Sequence, residues 1–269
     1  ITNNIIHGNS VSGNSKHGIE PHGAAFWFEV QSPNITVTGN SITGHSGNSL
    51  VYVYCADSDL GAQHHCTGRY YPYTPIVNNN NLLNNNTTYW LYNNHEDGSD
   101  TVNAENNWWG TASDVDIQAK TFDWNDNATL GLVDYTPFLT TPDTTAPPSP
   151  PANVAAQTGP TTIALTWDAN PESDITGYKV HYDTDAAGYP YANSTDVGNV
   201  TSHTLTGLST GTTYYTTVSA YDSDGNESWV SSDLSVTTLN TQPTATAASV
   251  STSEDTAVQV TLTGSDTDR

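Results

Sequence analysis

The chain has 269 residues, room for two or more domains, and only 12% of them are charged against 35% hydrophobic. Twenty glycines and 14 prolines exclude a fold built of long helices and favour one rich in β-structure. Five Lys and Arg against 28 Asp and Glu give a formal net charge of −23, which excludes nucleic acid as a partner and repels anionic membrane. No apolar run is long enough to span a bilayer, so no membrane insertion is expected. The chain lacks an initiating Met, opens inside a repeat and stops inside a domain, so it reads as a fragment of something longer; a monomer that is secreted or cell-surface is the separate expectation.

An asparagine-centred pattern marks the first 110 residues. It reads Ile1-x-x-Asn4-x-Ile6, Val37-x-x-Asn40-x-Ile42, Asn78-x-x-Asn81-x-Leu83 and Ala104-x-x-Asn107-x-Trp109. A short strand, a polar turn and another short strand, repeated at this spacing, predict a stacked solenoid. Asn suits the turn because it tolerates left-handed backbone angles, and its amide can ladder with the same residue one turn on. Such a stack offers a long flat face, which suits a long polymer.

Within the repeats, Lys16, His17, Glu20 and His22 form the densest group of chemically useful side chains. A lyase acting on a uronate needs a base for the α-proton and a cation for the carboxylate. His17 or His22 fits the first role and Lys16 the second, with an ordinary polar turn between strands as the alternative. A hydrolase needs two carboxylates on one face; Glu20 and Glu29 are the only acids before Asp57. Next, Cys55 and Cys66 bracket a polar insertion. Their spacing favours a disulfide in an oxidising compartment over a metal site formed by Cys66 with His64 and His65. The run Arg69-Tyr70-Tyr71-Pro72-Tyr73 either stacks on sugar rings or holds the insertion down. His95-Glu96-Asp97-Gly98 reads as a turn.

Residues 111–139 predict a cap. Ser113 can cap a short helix with Asp114 and Asp116 in its first turn, and Val115, Ala119 and Phe122 then share one face. Trp108, Trp109, Phe122, Trp124, Tyr135 and Phe138 would cover the last turn of the solenoid. The run Asn106-Asn107-Trp108-Trp109-Gly110-Thr111, the acidic helix, and Val133-Asp134-Tyr135-Thr136-Pro137-Phe138-Leu139 together resemble the end of a right-handed parallel β-helix, the pectate-lyase-like fold of PbH1 repeats. That resemblance implies a fold shared by secreted polysaccharide lyases, glycoside hydrolases and surface proteins.

Residues 140–152 form a proline-rich linker. Beyond it, Ile163, Leu165 and Trp167, then Tyr178, Val180 and Tyr182, then Tyr214, Thr216, Val218 and Ala220 alternate with period two, as in an antiparallel sandwich. Trp167, Tyr178 and the Leu208-to-Tyr214 spacing resemble a fibronectin type III domain, with Trp167 as core indole and Tyr214 as corner tyrosine. Asp222-Ser-Asp224-Gly225-Asn226-Glu227 reads as a hairpin turn rather than a calcium loop, since it lacks the twelfth-position Glu. No cofactor is expected; Asp266 and Asp268 further on could contribute to inter-domain calcium in a complete neighbouring repeat, but no complete calcium motif is present. From Asn240, Ser253-Glu254-Asp255-Thr256 and Gly264-Ser265-Asp266-Thr267-Asp268 resemble the start of a cadherin-like or Ig-like repeat, too short to close a core.

The expected architecture is therefore all-β: a right-handed parallel β-helix end with its cap over 1–139, a linker over 140–152, a fibronectin type III-like sandwich over 153–239 and a truncated repeat over 240–269. The expected function is to bind, and in the longer protein cleave by lyase or hydrolase chemistry, an extracellular polysaccharide. A non-catalytic adhesive stalk is the alternative.

Overall fold

The computed structural model describes residues 5–7, 24–29, 36–55, 75–95, 101–240 and 242–266, with side chains throughout except at 5–7, 24–29, 54 and 55. It is all-β apart from one short helix, and it divides into two compact units. The first comprises Ile1–Pro150 with Asn170–Gly177 and Ser219–Trp229; the second comprises Pro151–Ala169, Tyr178–Val218 and Val230–Arg269.

In the first unit the chain visits three sheets in rotation. The strands are β1 (Ile5–His7), β2 (Ala24–Glu29), β3 (Thr36–Thr38), β4 (Ser41–Thr43), β5 (Ser46–Cys55), β6 (Ile76–Asn78), β7 (Asn81–Leu83), β8 (Asn86–His95) and β9 (Val102–Asn103). β1 to β6 each pair in parallel with the strand three places further on, giving the orders β1-β4-β7, β2-β5-β8 and β3-β6-β9. Helix α1 (Asp114–Ala119) follows, and β10 (Thr121–Phe122) and β11 (Val133–Asp134) extend the second and third sheets. Val37, Val77, Ile42, Leu82, Leu91, Trp109, Ile117 and Val133 form one continuous core between the sheets.

The three-residue strands stop because the next two residues make a corner with divided roles. The first takes the left-handed conformation: Gly39 at φ 68°, Asn79 at φ 54° and Asn106 at φ 56°. The second is the ladder asparagine. Nδ2 of Asn40 donates to Oδ1 of Asn80 at 3.0 Å, and Nδ2 of Asn80 donates to Oδ1 of Asn107 at 3.0 Å. The main-chain amides of Asn40 and Asn80 donate to the same two oxygens at 3.1 and 3.0 Å. All three asparagines are fully buried. This corrects the third repeat by one residue. Ser41 pairs with Asn81 and Ile42 with Leu82, so Asn81 is a strand residue and the true copy is Val77-x-x-Asn80-x-Leu82. It also separates the two jobs that the sequence assigns to a single Asn.

Helix α1 begins as expected, with the Ser113 hydroxyl accepting the Asp116 amide at 3.3 Å. Its buried face differs: Ile117 is the residue in the core, whereas Val115 is 76% exposed. Six residues are too few for periodicity to fix a face. The Tyr135 hydroxyl lies 3.0 Å from Asp114 and 3.1 Å from Gln118, tying the helix to β11, and burial together with the Asp114 carboxylate pushes its pKa up to about 12. Buried Asp123 accepts the amides of Asn125 and Val133, each at 2.9 Å. The proline-rich segment is fastened rather than free. Asn81 exchanges two hydrogen bonds with the Asp143 main chain at 2.7 and 2.9 Å, the Ser41 hydroxyl donates to Pro147 at 2.6 Å, and residues 146–151 are buried.

The later strands are antiparallel. A three-stranded sheet has the order β12 (Ala155–Thr158), β13 (Thr162–Thr166), β16 (Ser202–Thr206). A four-stranded sheet has the order β15 (Asn193–Gly198), β14 (Ile175–Asp183), β17 (Thr213–Asp222), β18 (Leu234–Thr237). Ile163, Leu165, Trp167, Tyr178, Val180 and Val218 are buried as their alternation requires, with the Trp167 and Tyr178 rings 5.5 Å apart. The Tyr214 hydroxyl accepts the Ser209 amide at 2.9 Å, the expected corner. Tyr214→Phe should therefore lower stability by about 1–2 kcal/mol, read as a denaturant midpoint shifted at unchanged slope, because the Ser209 amide loses its acceptor. An unchanged midpoint would mean that water replaces the hydroxyl. Finally β19 (Thr244–Thr246) pairs with β20 (Thr263–Ser265), and residues 242–265 are exposed throughout.

Candidate functional site

The second parallel sheet, β2-β5-β8-β10, carries the most distinctive surface in the first unit. Val51, Val53 and Leu91 point into the core, so the residues between them face outward. Parallel register then places Tyr52 beside Tyr92 and Tyr92 beside Phe122, with the backbone of Trp27 opposite that of Tyr52. The Tyr52 and Tyr92 rings lie 5.0 Å apart, edge to face, and Tyr92 and Phe122 lie 4.6 Å apart.

Tyr89 joins the same row, 5.5 Å from Tyr92 and 5.2 Å from Phe122. Strict alternation would turn it inward. It faces out because the strands step over one residue, with Leu50 and Val51, like Trp90 and Leu91, both packed on the core. The main-chain amides of Trp90 and Leu91 share one acceptor, the Lys120 carbonyl, at 2.7 and 3.4 Å. Tyr52 is nearly fully buried in the row, whereas Tyr89, Tyr92 and Phe122 are half-exposed. Asn94 donates to the Tyr52 hydroxyl at 3.0 Å. Lys120 directs its ammonium to the Thr87 carbonyl at 2.8 Å.

The residues singled out from sequence fall elsewhere. Lys16, His17, Glu20 and His22 lie in the segment joining β1 to β2, outside the described residues. Cys66, Arg69, Tyr70, Tyr71 and Tyr73 lie in the segment joining β5 to β6, also outside them. Cys55 ends β5, its backbone opposite His95. The signal for the aromatic row was present in Tyr52 and Tyr92, 40 positions apart at the repeat spacing and each preceded by a core residue. The Asp222 loop is satisfied by its own chain: the carboxylate accepts the amides of Asp224 and Asn226 at 3.0 and 2.8 Å and the Asn226 side chain at 2.9 Å. Among the described residues no three His, Cys, Asp or Glu side chains converge to hold a metal. No helix among them is long and apolar enough to cross a membrane.

The antiparallel strands define a fibronectin type III domain, and residues 149–237 match that family. The chain is 42% identical over 137 residues to Exoglucanase B of Cellulomonas fimi, covering 49% of this chain and 12% of the relative. It is 39% identical over 104 residues to Chitinase Chi52 of Paenibacillus xylanexedens, covering 37% and 18%. It is also 40% identical over 82 residues to a Kelch domain-containing protein of Saccharolobus solfataricus, covering 30% and 11%. The chain thus spans less than a fifth of the length of each of these relatives.

Proposed function

We propose that the chain is part of a secreted, multidomain carbohydrate-active protein. In this reading residues 1–139 are the last coils and cap of a right-handed parallel β-helix that binds an extracellular polysaccharide, and the fibronectin type III domain is a spacer. The observation that carries it is the aromatic row on the second sheet, where Tyr89, Tyr92 and Phe122 offer half-exposed rings across successive strands. Sugar rings present apolar CH faces to such surfaces, and a row repeated along a stack matches a repeating polymer. The names of two relatives, an exoglucanase and a chitinase, support a polysaccharide context.

The test is binding of the whole chain to a polysaccharide panel by affinity electrophoresis and calorimetry. Tyr92→Ala with Phe122→Ala should weaken retention by about tenfold, since each ring removed forfeits roughly 0.5–1.5 kcal/mol of stacking. Failure of the unmutated chain to bind any member of the panel would turn the assignment to the stalk. Release of reducing ends by the chain alone would extend the role from binding to cleavage.

A further inference from the structure

We infer that the polysaccharide taken by this face is uncharged. The inference rests on the binding role proposed above and adds the chemical class of the ligand. Residues 36–55 and 75–95, which supply strands to all three sheets, contain no Lys, Arg, Asp or Glu. The face that they form with Phe122 of β10 shows tyrosine rings, a phenylalanine ring and carboxamides among its described side chains. Lys120, the one Lys or Arg among the described residues of the first unit, already donates to the Thr87 carbonyl.

A uronate or sulfate laid on such a surface would be partly desolvated, and among the described residues of the first unit the only cation, Lys120, is already engaged. Taking a carboxylate out of water is unfavourable unless it is paired and hydrogen-bonded, and polymers of acidic sugars are met by Arg or Lys for that reason. The long-range field acts in the same direction. Residues 101–150 hold seven Asp and Glu against Lys120, and the whole chain carries a formal net charge of −23. A neutral chain meets neither obstacle: ring CH groups stack on the aromatics and hydroxyls exchange hydrogen bonds with Asn and Tyr.

The experiment measures binding of the full chain to soluble β-glucan, xylan and chitin oligosaccharides, and in parallel to polygalacturonate and alginate, at low and high salt. The variants are Tyr92→Ala and, as a control that keeps the ring, Tyr92→Phe. Binding to one or more neutral polymers is expected, changing less than about twofold with salt. It should fall several-fold in Tyr92→Ala and be retained in Tyr92→Phe. Preferred binding of the anionic polymers, weakened by Tyr92→Ala, would overturn the neutral assignment and leave the binding face standing. Neutral binding indifferent to Tyr92→Ala would overturn the face itself. No binding to either class would overturn both readings.

Discussion

Asn80→Ala should be among the most damaging single substitutions in the parallel-stranded unit, lowering its stability by about 3–5 kcal/mol. Asn80 is fully buried, and its Oδ1 accepts both the main-chain amide and the side-chain amide of Asn40. Its Nδ2 donates to Asn107 Oδ1 and to the carbonyls of Val37 and Asn78. Alanine removes the middle rung, so a buried donor on one side and a buried acceptor on the other lose their partner where water cannot replace it. The neighbouring substitution Asn81→Ala is the informative control. Asn81 is equally buried, but its side chain bonds only the Asp143 main chain, in a segment that can reach solvent. It should lower stability by about 1–2 kcal/mol. For a unit of this size Asn80→Ala corresponds to a melting temperature lower by roughly 10 °C, and Asn81→Ala to a shift of a few degrees. If Asn81→Ala proved the more harmful, the ladder would run through the wrong residue.

That contrast also marks how far the sequence could be read. The sandwich was legible because its determinants are local: the alternation of Ile163, Leu165 and Trp167, and a tyrosine whose partner amide lies five positions upstream. The ladder was legible at Asn40 and Asn107, where a single register fits. Four consecutive asparagines, Asn78 to Asn81, allow several registers. Only the apolar positions decide, since Val77 and Leu82 are buried while Asn78 is only partly so. The aromatic row was hidden for a different reason. Its members Tyr52, Tyr92 and Phe122 are dozens of residues apart and meet only through strand register, and the step at Leu50 and Val51 breaks the alternation that would have assigned faces. A cluster contiguous in sequence, such as Lys16 to His22, is easy to see, but adjacency along the chain does not imply convergence in space.

Trp109→Ala should bring the second large effect, and Trp108→Ala should not share it. The sequence presents the pair as one cap, but only Trp109 turns into the core. Trp109 is 1% exposed, belongs to the core and stacks on Trp90 with ring centroids 6.0 Å apart. Trp108 is half-exposed. Deleting a buried indole typically removes about 3–5 kcal/mol through reduced burial and the cavity left behind. The cavity opens in the core that Trp109 shares with Ile117 and Tyr135, so loosened packing should expose strand edges, and soluble aggregates should appear on sizing and light scattering. Trp108→Ala should stay within about 1.5 kcal/mol and remain a single species. Trp109→Phe separates packing from polarity. The Trp109 indole N–H is buried without a hydrogen-bond partner, so phenylalanine forfeits volume but no hydrogen bond. It should recover most of the stability that Trp109→Ala removes. Equal damage from Trp108→Ala and Trp109→Ala would sink the inward assignment of Trp109. Failure of Trp109→Phe to recover stability would place the effect in the indole edge rather than in the filled core.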